Sequence, residues 1–400
     1  VAESVSVSVG VQVDQGEVTG QVLLSPIQWD FFDHGFPCPQ HYNQAVMLFA
    51  ADGFDGEALQ VVLPALVTHH DQLRAVFSGA GQEVRGVGRG SLFGWEEFDL
   101  RDVVDAGELI EARSSRVQAG FSLTDGPLFK VALFRTAEGD HLLLCAHHLV
   151  VDGVSWRVLI EDLVSGYGQV RAGGVAQFSP KTTSFQGWVS ALQAYSQGSQ
   201  GRLELAYWSG LVERVRSVAS ERVGGLEPAG LDHLGGVATV IVRLGEELTH
   251  QLLFEAPRAF GTEINDLLLA SLVLAVHQWQ GTSVIAVELE GHGREEVIGV
   301  PVDRTVGWFT SSFPVVLGIG SDLQDTLIRT KETLRQLPHR GIGYGVLKRF
   351  GQLDTHGVHP EISFNYLGDV DAELINLGDG VTLAPASSGL GSDPTNPQPN

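Results

Sequence analysis

Two apolar runs, PLFKVALFRT and DHLLLCAHHLVV, flank the short turn AEGD, and the helically periodic VSWRVLIEDLVSGYGQV follows them almost at once. The runs read as a β-hairpin and the third segment as an amphipathic helix. A hairpin feeding directly into a helix commits this part of the chain to a sheet with a helix laid against it, an α/β arrangement. The joint itself, HHLVVDGVSW (His147–Trp156), places two histidines, an aspartate and a glycine where strand gives way to helix.

The same style recurs along the chain. FDGEALQVVLPALVTHHDQLRAVF reads as an amphipathic helix running into a strand. Beyond the Gly/Pro/Ser/Thr-rich linker candidate RAGGVAQFSPKTTSF (Arg171–Phe185), helices are expected at FQGWVSALQAYS, LELAYWSGLVERV, INDLLLASLVLAVHQW and DTLIRTKETLRQL. Strands are expected at ATVIVRL, VIAVELE and PEISFNYLG. A chain of 400 residues exceeds what one hydrophobic core usually sustains, so two lobes are expected, 1–180 and 181–400.

Composition narrows the partners. With 25 Lys and Arg against 48 Asp and Glu the net charge is −23, which argues against nucleic acid or an anionic membrane surface. The longest apolar block, LLLASLVLAV, is about half of the roughly 20 residues a bilayer span needs, so no membrane association is expected. Two distant cysteines, Cys38 and Cys145, suit a reducing compartment, the cytoplasm. The chain opens on VAESVSVSVG and closes on the turn-rich SSGLGSDPTNPQPN, which reads as a piece of a longer polypeptide whose tail holds no helix or strand.

Several chemistries can be set aside on spacing. Neighbouring strand residues point to opposite faces, so His147 and His148 do not face one ion together unless the chain turns between them, and no metal-binding framework is present; no metal is expected. GVSWR starts like a nucleophile elbow, but Arg157 stands where the last glycine must be. HRGIGYGVLKRF departs from the dinucleotide fingerprint and follows no strand, so it reads as a glycine-rich turn. Acid/base work remains: VELEGHGRE alternates so that Val287 and Leu289 share one face and Glu288 and Glu290 the other. A histidine and a glutamate at the ends of different strands can move a proton on and off one carbon; a satisfied core histidine and a solvated glutamate are the plain alternative.

Taken together the motifs carry a resemblance. HHLVVDGVSW is similar to the H-H-x-x-x-D-G signature of the condensation-domain superfamily of nonribosomal peptide synthetases. SPIQWDFF, HYNQAVML, HHDQLRAVF, NDLLLASLVLAV, ELEGHGRE, RTVGWFTSSFPVVL, GIGYGVLKRF and FNYLG resemble, in order, the epimerisation domains within it. The resemblance implies two lobes, each similar to chloramphenicol acetyltransferase, set as a V with a tunnel between them. It implies L-to-D equilibration at the α-carbon of an aminoacyl or peptidyl thioester on the phosphopantetheine arm of a carrier domain, with no cofactor of the protein's own. An upstream peptidyl carrier domain and a downstream condensation domain are the implied partners.

By the same matching His148 and Glu290 are the implied catalytic pair, with Asn365, Tyr366, His147, Asp152, Gly153 and Ser155 in support. Asp152 is expected to hold its loop through a buried salt bridge to Arg74, Gly153 to permit a tight turn, and Trp156 to sit in the core. His292 and Arg294 are candidates for positioning the loop that carries Glu290. The resemblance also implies more strand and helix past FNYLG than the chain supplies, so the second lobe is expected to end early. Rival readings are a condensation domain, which has no need of Glu290, a docking module without catalysis, and a free-standing acyltransferase.

Overall fold

The computed structural model describes residues 13–79, 81–220, 240–358, 360–368, 380–384 and 386–396. Eleven strands are present among them: β1 (Gly20–Val22), β2 (Asn43–Ala50), β3 (Ala75–Ser78), β4 (Gly81–Val84), β5 (Gly94–Asp99), β6 (Phe129–Thr136), β7 (Gly139–His147), β8 (Val284–Gly291), β9 (Ser311–Gly318), β10 (Ile362–Phe364) and β11 (Val381–Leu383). They divide between two compact units.

The first unit comprises the described residues up to Leu192, Glu296–Phe309, and the described part of 369–396. Its main sheet runs β11-β2-β7-β6-β5. The expected hairpin is β6–β7, antiparallel from Thr136↔Gly139 to Phe129↔Ala146, and β5 lies parallel to β6 after a crossover through helix Gly107–Ala119. Helix Gly56–His69, capped where Asp55 accepts the Ala58 N–H at 3.1 Å, packs against helix Gly153–Arg171. Leu59, Val62, Leu63 and Leu66 on one, and Val158, Leu159 and Leu163 on the other, are fully buried, each burial stabilising by about 1.5–3 kcal/mol. A second sheet, β1-β4-β3, completes this unit.

The second unit holds the described residues of Gln193–Glu295 and Thr310–Gly368. Its sheet is β10-β8-β9, with β8 parallel to β10 and antiparallel to β9. Trp208, Val273, Val287, Phe313, Val315 and Leu317 are buried together in its core.

Three expectations are corrected. The division does not fall at 180/181: the first unit continues to Leu192 and takes back Glu296–Phe309, because long-range pairing, not linker composition, decides which segments pack together. Of ATVIVRL, Ala238 and Thr239 lie outside the described residues, and Val240–Leu244 form no strand; a β-branched run becomes a strand only when it finds a partner, and Val240, Ile241 and Val242 are exposed. GIGYGVLKRF is a helix, Ile342–Phe350, entered through left-handed residues His339, Arg340 and Gly341. The described part of the turn-rich tail holds no helix or strand, as expected; Ser392 bridges to Tyr42, and the Asn396 amide donates to the carbonyls of Cys38 and His41 at 2.9 and 3.1 Å.

Candidate active site

His147 ends β7 and its side chain is wholly buried. Its Nδ1 accepts the Leu149 N–H at 3.1 Å and its Nε2 lies 2.8 Å from the Pro39 carbonyl. A carbonyl only accepts, so the proton sits on Nε2 and the ring is neutral. Burial pushes the pKa down to about 3, with His148 and His41 adding to the fall and the Pro39 bond opposing it. His147 caps the turn His148–Val150.

His148 opens the short turn His148–Val150 and is half-buried. Its ring touches two aromatic rings, Tyr42 stacked at 5.4 Å and Trp308 tilted at 4.2 Å between centroids, which also contact each other at 6.2 Å. Its Nδ1 is 2.9 Å from the Val151 carbonyl and its Nε2 is 2.9 Å from Gln44 Nε2. Burial lowers its pKa, opposed by backbone hydrogen bonding and the charge of Asp152. The outcome is an imidazole inclined to be neutral at ordinary pH.

Asp152 caps helix Gly153–Arg171: Oδ1 accepts the Ser155 N–H and lies as close to the Ser155 hydroxyl, both at 2.7 Å, while Oδ2 accepts the Phe309 N–H at 3.1 Å. The expected salt bridge to Arg74 does not form. Arg74 instead donates to Val67, Thr68, Arg85 and Val18 carbonyls and pairs with Asp71 at 2.8 Å. Helix Gly56–His69 ends with unsatisfied carbonyls, and the guanidinium fork satisfies two of them. Ser155 accepts the Gly307 N–H at 3.0 Å and reaches the Gly307 carbonyl at 2.9 Å. HHLVVDGVSW and RTVGWFT therefore meet, and this seats Trp308 over His148.

Gly153 was expected to permit a tight turn. Its φ is not left-handed and a Cβ there would meet open space, so the backbone does not require glycine. Trp156 is buried, as expected, and its indole N–H donates to Gln44 Oε1 at 2.9 Å.

In the second unit Glu290 stands one residue before the end of β8, with the strand alternating as the sequence predicts: Val287 and Leu289 buried, Glu288 and Glu290 not. The Glu290 carboxylate accepts from Asn365 Nδ2 at 2.5 Å. Solvent still reaches the carboxyl. Even so, protein crowds it on enough sides that desolvation raises its pKa; Glu288 adds to the rise and the Asn365 bond opposes it. Tyr366 is 40% exposed and makes no hydrogen bond among the described residues. His292 accepts the Arg294 N–H at 3.0 Å and lies 3.3 Å from Glu295, which closes the loop after Glu290.

One cluster of potential metal donors, unseen in the sequence, occurs among the described residues: His69, His70 and Asp162. Asp162 Oδ2 already bonds His70 at 3.0 Å and Oδ1 bonds Arg304 at 2.6 Å. With both oxygens engaged and Lys181 bearing on His69, a buried ion-pair chain accounts for the group better than a cation site does. Gln44, Tyr42 and Trp308 are the site residues that sequence reasoning missed. Each lies within a stretch singled out or beside one, HYNQAVML and RTVGWFT, but only tertiary contact shows that they surround His148.

A mixed α/β chain with an H-H-x-x-x-D-G turn built into a strand-to-helix joint has the condensation-domain fold. The condensation domain family profile matches residues 18–382, and the chain belongs to this family. It is 41% identical to Tyrocidine synthase 1 of Brevibacillus parabrevis over 397 residues, 96% of this chain and 36% of that protein. It is 41% identical to Surfactin synthase subunit 2 of Bacillus subtilis over 377 residues, 91% of this chain and 10% of that protein. The chain thus spans from about a tenth to about a third of these relatives. Among solved structures, the epimerization domain from the third module of tyrocidine synthetase B superposes with a TM-score of 0.83 at 37% identity, covering 96% of this chain and 88% of that one. The first condensation domain of the calcium-dependent antibiotic synthetase superposes at 0.67 with 19% identity, covering 92% and 84%, a likeness of fold. No single described helix is long and apolar enough to cross a membrane.

Proposed function

We propose that this domain equilibrates the L and D configurations at the α-carbon of an aminoacyl or peptidyl thioester held on the phosphopantetheine arm of a carrier domain. The observation that carries the reading is the Glu290–Asn365 pair: a carboxyl with a raised pKa, positioned by an amide, near the end of β8. Peptide-bond formation has no use for that acid. The 37% identity to an epimerization domain, against 19% to a condensation domain, supports the same choice.

The chemistry follows from the groups present. A thioester delocalises weakly into its carbonyl, so its α-proton is removed more readily than that of an ester or amide, and the reaction needs no electron sink from a cofactor. Inversion needs one group to take the proton and another to return one to the opposite face. His148, whose pKa burial lowers, and Glu290, whose pKa burial raises, supply the two roles and exchange them in the reverse direction. Acid/base transfer contributes about 10²–10⁴-fold, so the enolate oxygen needs donors as well. The Gly153 and Val154 N–H groups at the start of helix Gly153–Arg171 are candidates, having no partner among the described residues; Tyr366 is another. The domain then works within a synthetase beside a carrier upstream and a condensation domain downstream, in the cytoplasm, where free thiols such as Cys38 and Cys145 persist.

The test is to present a carrier loaded with an L-aminoacyl thioester, hydrolyse, and resolve the enantiomers. Wild type should yield a mixture of L and D, and His148→Ala and Glu290→Gln should each return only L. Retained D product in both variants, or amide formation with a second loaded carrier, would overturn the reading.

A further inference from the structure

Four hydrogen-bonding groups around His148 leave no freedom in where its proton sits. The Val151 carbonyl, 2.9 Å from Nδ1, only accepts, so Nδ1 carries the hydrogen. The Trp156 indole only donates, so the Gln44 atom 2.9 Å from it is the amide oxygen, and this fixes which way the amide points. The Gln44 NH₂ is then the group 2.9 Å from His148 Nε2, and an NH₂ only donates. Nε2 must present a lone pair. An imidazolium would instead direct an N–H at an N–H over the same distance.

We propose that Gln44, held by Trp156, is a positioning residue that keeps His148 as the neutral Nδ1–H tautomer with its Nε2 lone pair available as a base. The proposal rests on the reading of His148 as a proton-transfer group and adds the device that prepares it. Gln44 stands on β2 opposite Ala146 of β7, one step before His147, so sheet register delivers its amide to the strand end where the histidine sits. Tyr42 and Trp308, which also pack on each other, both lie against the ring and restrict its orientation. The titratable groups facing His148 are His147, neutral and buried, Tyr42, and Asp152, whose charge favours the imidazolium. Gln44 works against Asp152: when His148 takes a proton, the amide must turn from Nε2 or give up the Trp156 bond. A proton gained is then readily released, which suits a group that exchanges protons in both directions.

The test uses the full chain with histidine labelled in ¹⁵N, the His148 signal assigned from its loss in His148→Gln, and folding checked by circular dichroism. In wild type His148 should show the Nδ1–H tautomer and titrate below its ordinary value. Gln44→Glu puts a carboxylate where the NH₂ was, so His148 should gain an Nε2–H and titrate at or above the ordinary value, and α-proton exchange at pH 7 should fall about tenfold. Gln44→Met removes the donor facing Nε2 but leaves the Val151 carbonyl on Nδ1–H, so the Nδ1–H tautomer should persist while the titration moves up toward the ordinary value. Unchanged tautomer and titration in both variants would overturn the proposal. The expected spectra with no α-proton exchange in any protein would uphold it and overturn the epimerisation reading instead.

Discussion

The Oδ2 atom of Asp152 accepts the backbone N–H of Phe309 at 3.1 Å, across 157 residues of sequence. Its Oδ1 meanwhile caps the helix at Ser155. One carboxylate thus joins the histidine turn to the segment that lays Trp308 on His148.

Replacing Asp152 with Ala removes the carboxylate that accepts the Ser155 and Phe309 N–H groups, in two buried residues, at about 1–3 kcal/mol each. The variant should melt well below wild type in urea and lose turnover. Asp152→Asn keeps one acceptor oxygen and should fall between. Equal melts for Ala and wild type would contradict this account of the turn.

The two glycines of the joined motifs should respond oppositely. A Cβ on Gly307 would overlap the Phe185 ring, whereas one on Gly153 meets nothing within 4 Å. Gly307→Ala should lower the melting temperature sharply. Gly153→Ala should leave it unchanged or slightly raised, since alanine favours helix over glycine by up to about 1 kcal/mol.

His147 makes stability depend on pH. Its folded pKa of about 3 lies below the ordinary 6.5, so the unfolded chain binds the proton more tightly and stability falls as pH drops below 6.5 toward 3. At pH 5 the loss should be about 2 kcal/mol. The difference in urea stability between wild type and His147→Gln, followed from pH 7.5 to 5, isolates this slope, because glutamine does not titrate. A constant difference would contradict it.

Asn365 should tune the alkaline limb of turnover. In the proposed mechanism His148 and Glu290 hold one proton between them in either direction, so activity should be lost at high pH when that proton leaves. The Asn365 bond favours ionised Glu290, and Asn365→Leu should therefore raise the carboxyl's pKa further. The alkaline limb of the pH–rate profile should move to higher pH; a move to lower pH would contradict the role given to Asn365.

What could be read from sequence was local and periodic. The β6–β7 hairpin, the helix after Asp152 and the alternation that turns Glu290 away from Val287 all follow from residue spacing. What could not be read was partnership. Arg74 was matched to Asp152 because both stand in recognisable motifs, yet its donors go to the carbonyls at the end of its own neighbouring helix. Gln44 and Trp308 reach His148 through sheet register and through the Asp152–Phe309 bond, neither of which spacing along the chain encodes. Val240–Leu244 shows the converse: strand-like residues that join no strand among the described residues.

The most direct test of the central claim is solvent exchange at the α-carbon. Carrier-bound thioester would be supplied separately as the L and the D form to the wild-type domain in deuterated water, then released and analysed for configuration and mass. The account predicts that both converge on the same L/D ratio with deuterium at the α-carbon. Retention of configuration with no deuterium gained from either form, under conditions where the carrier is fully loaded and the domain folded, would contradict it.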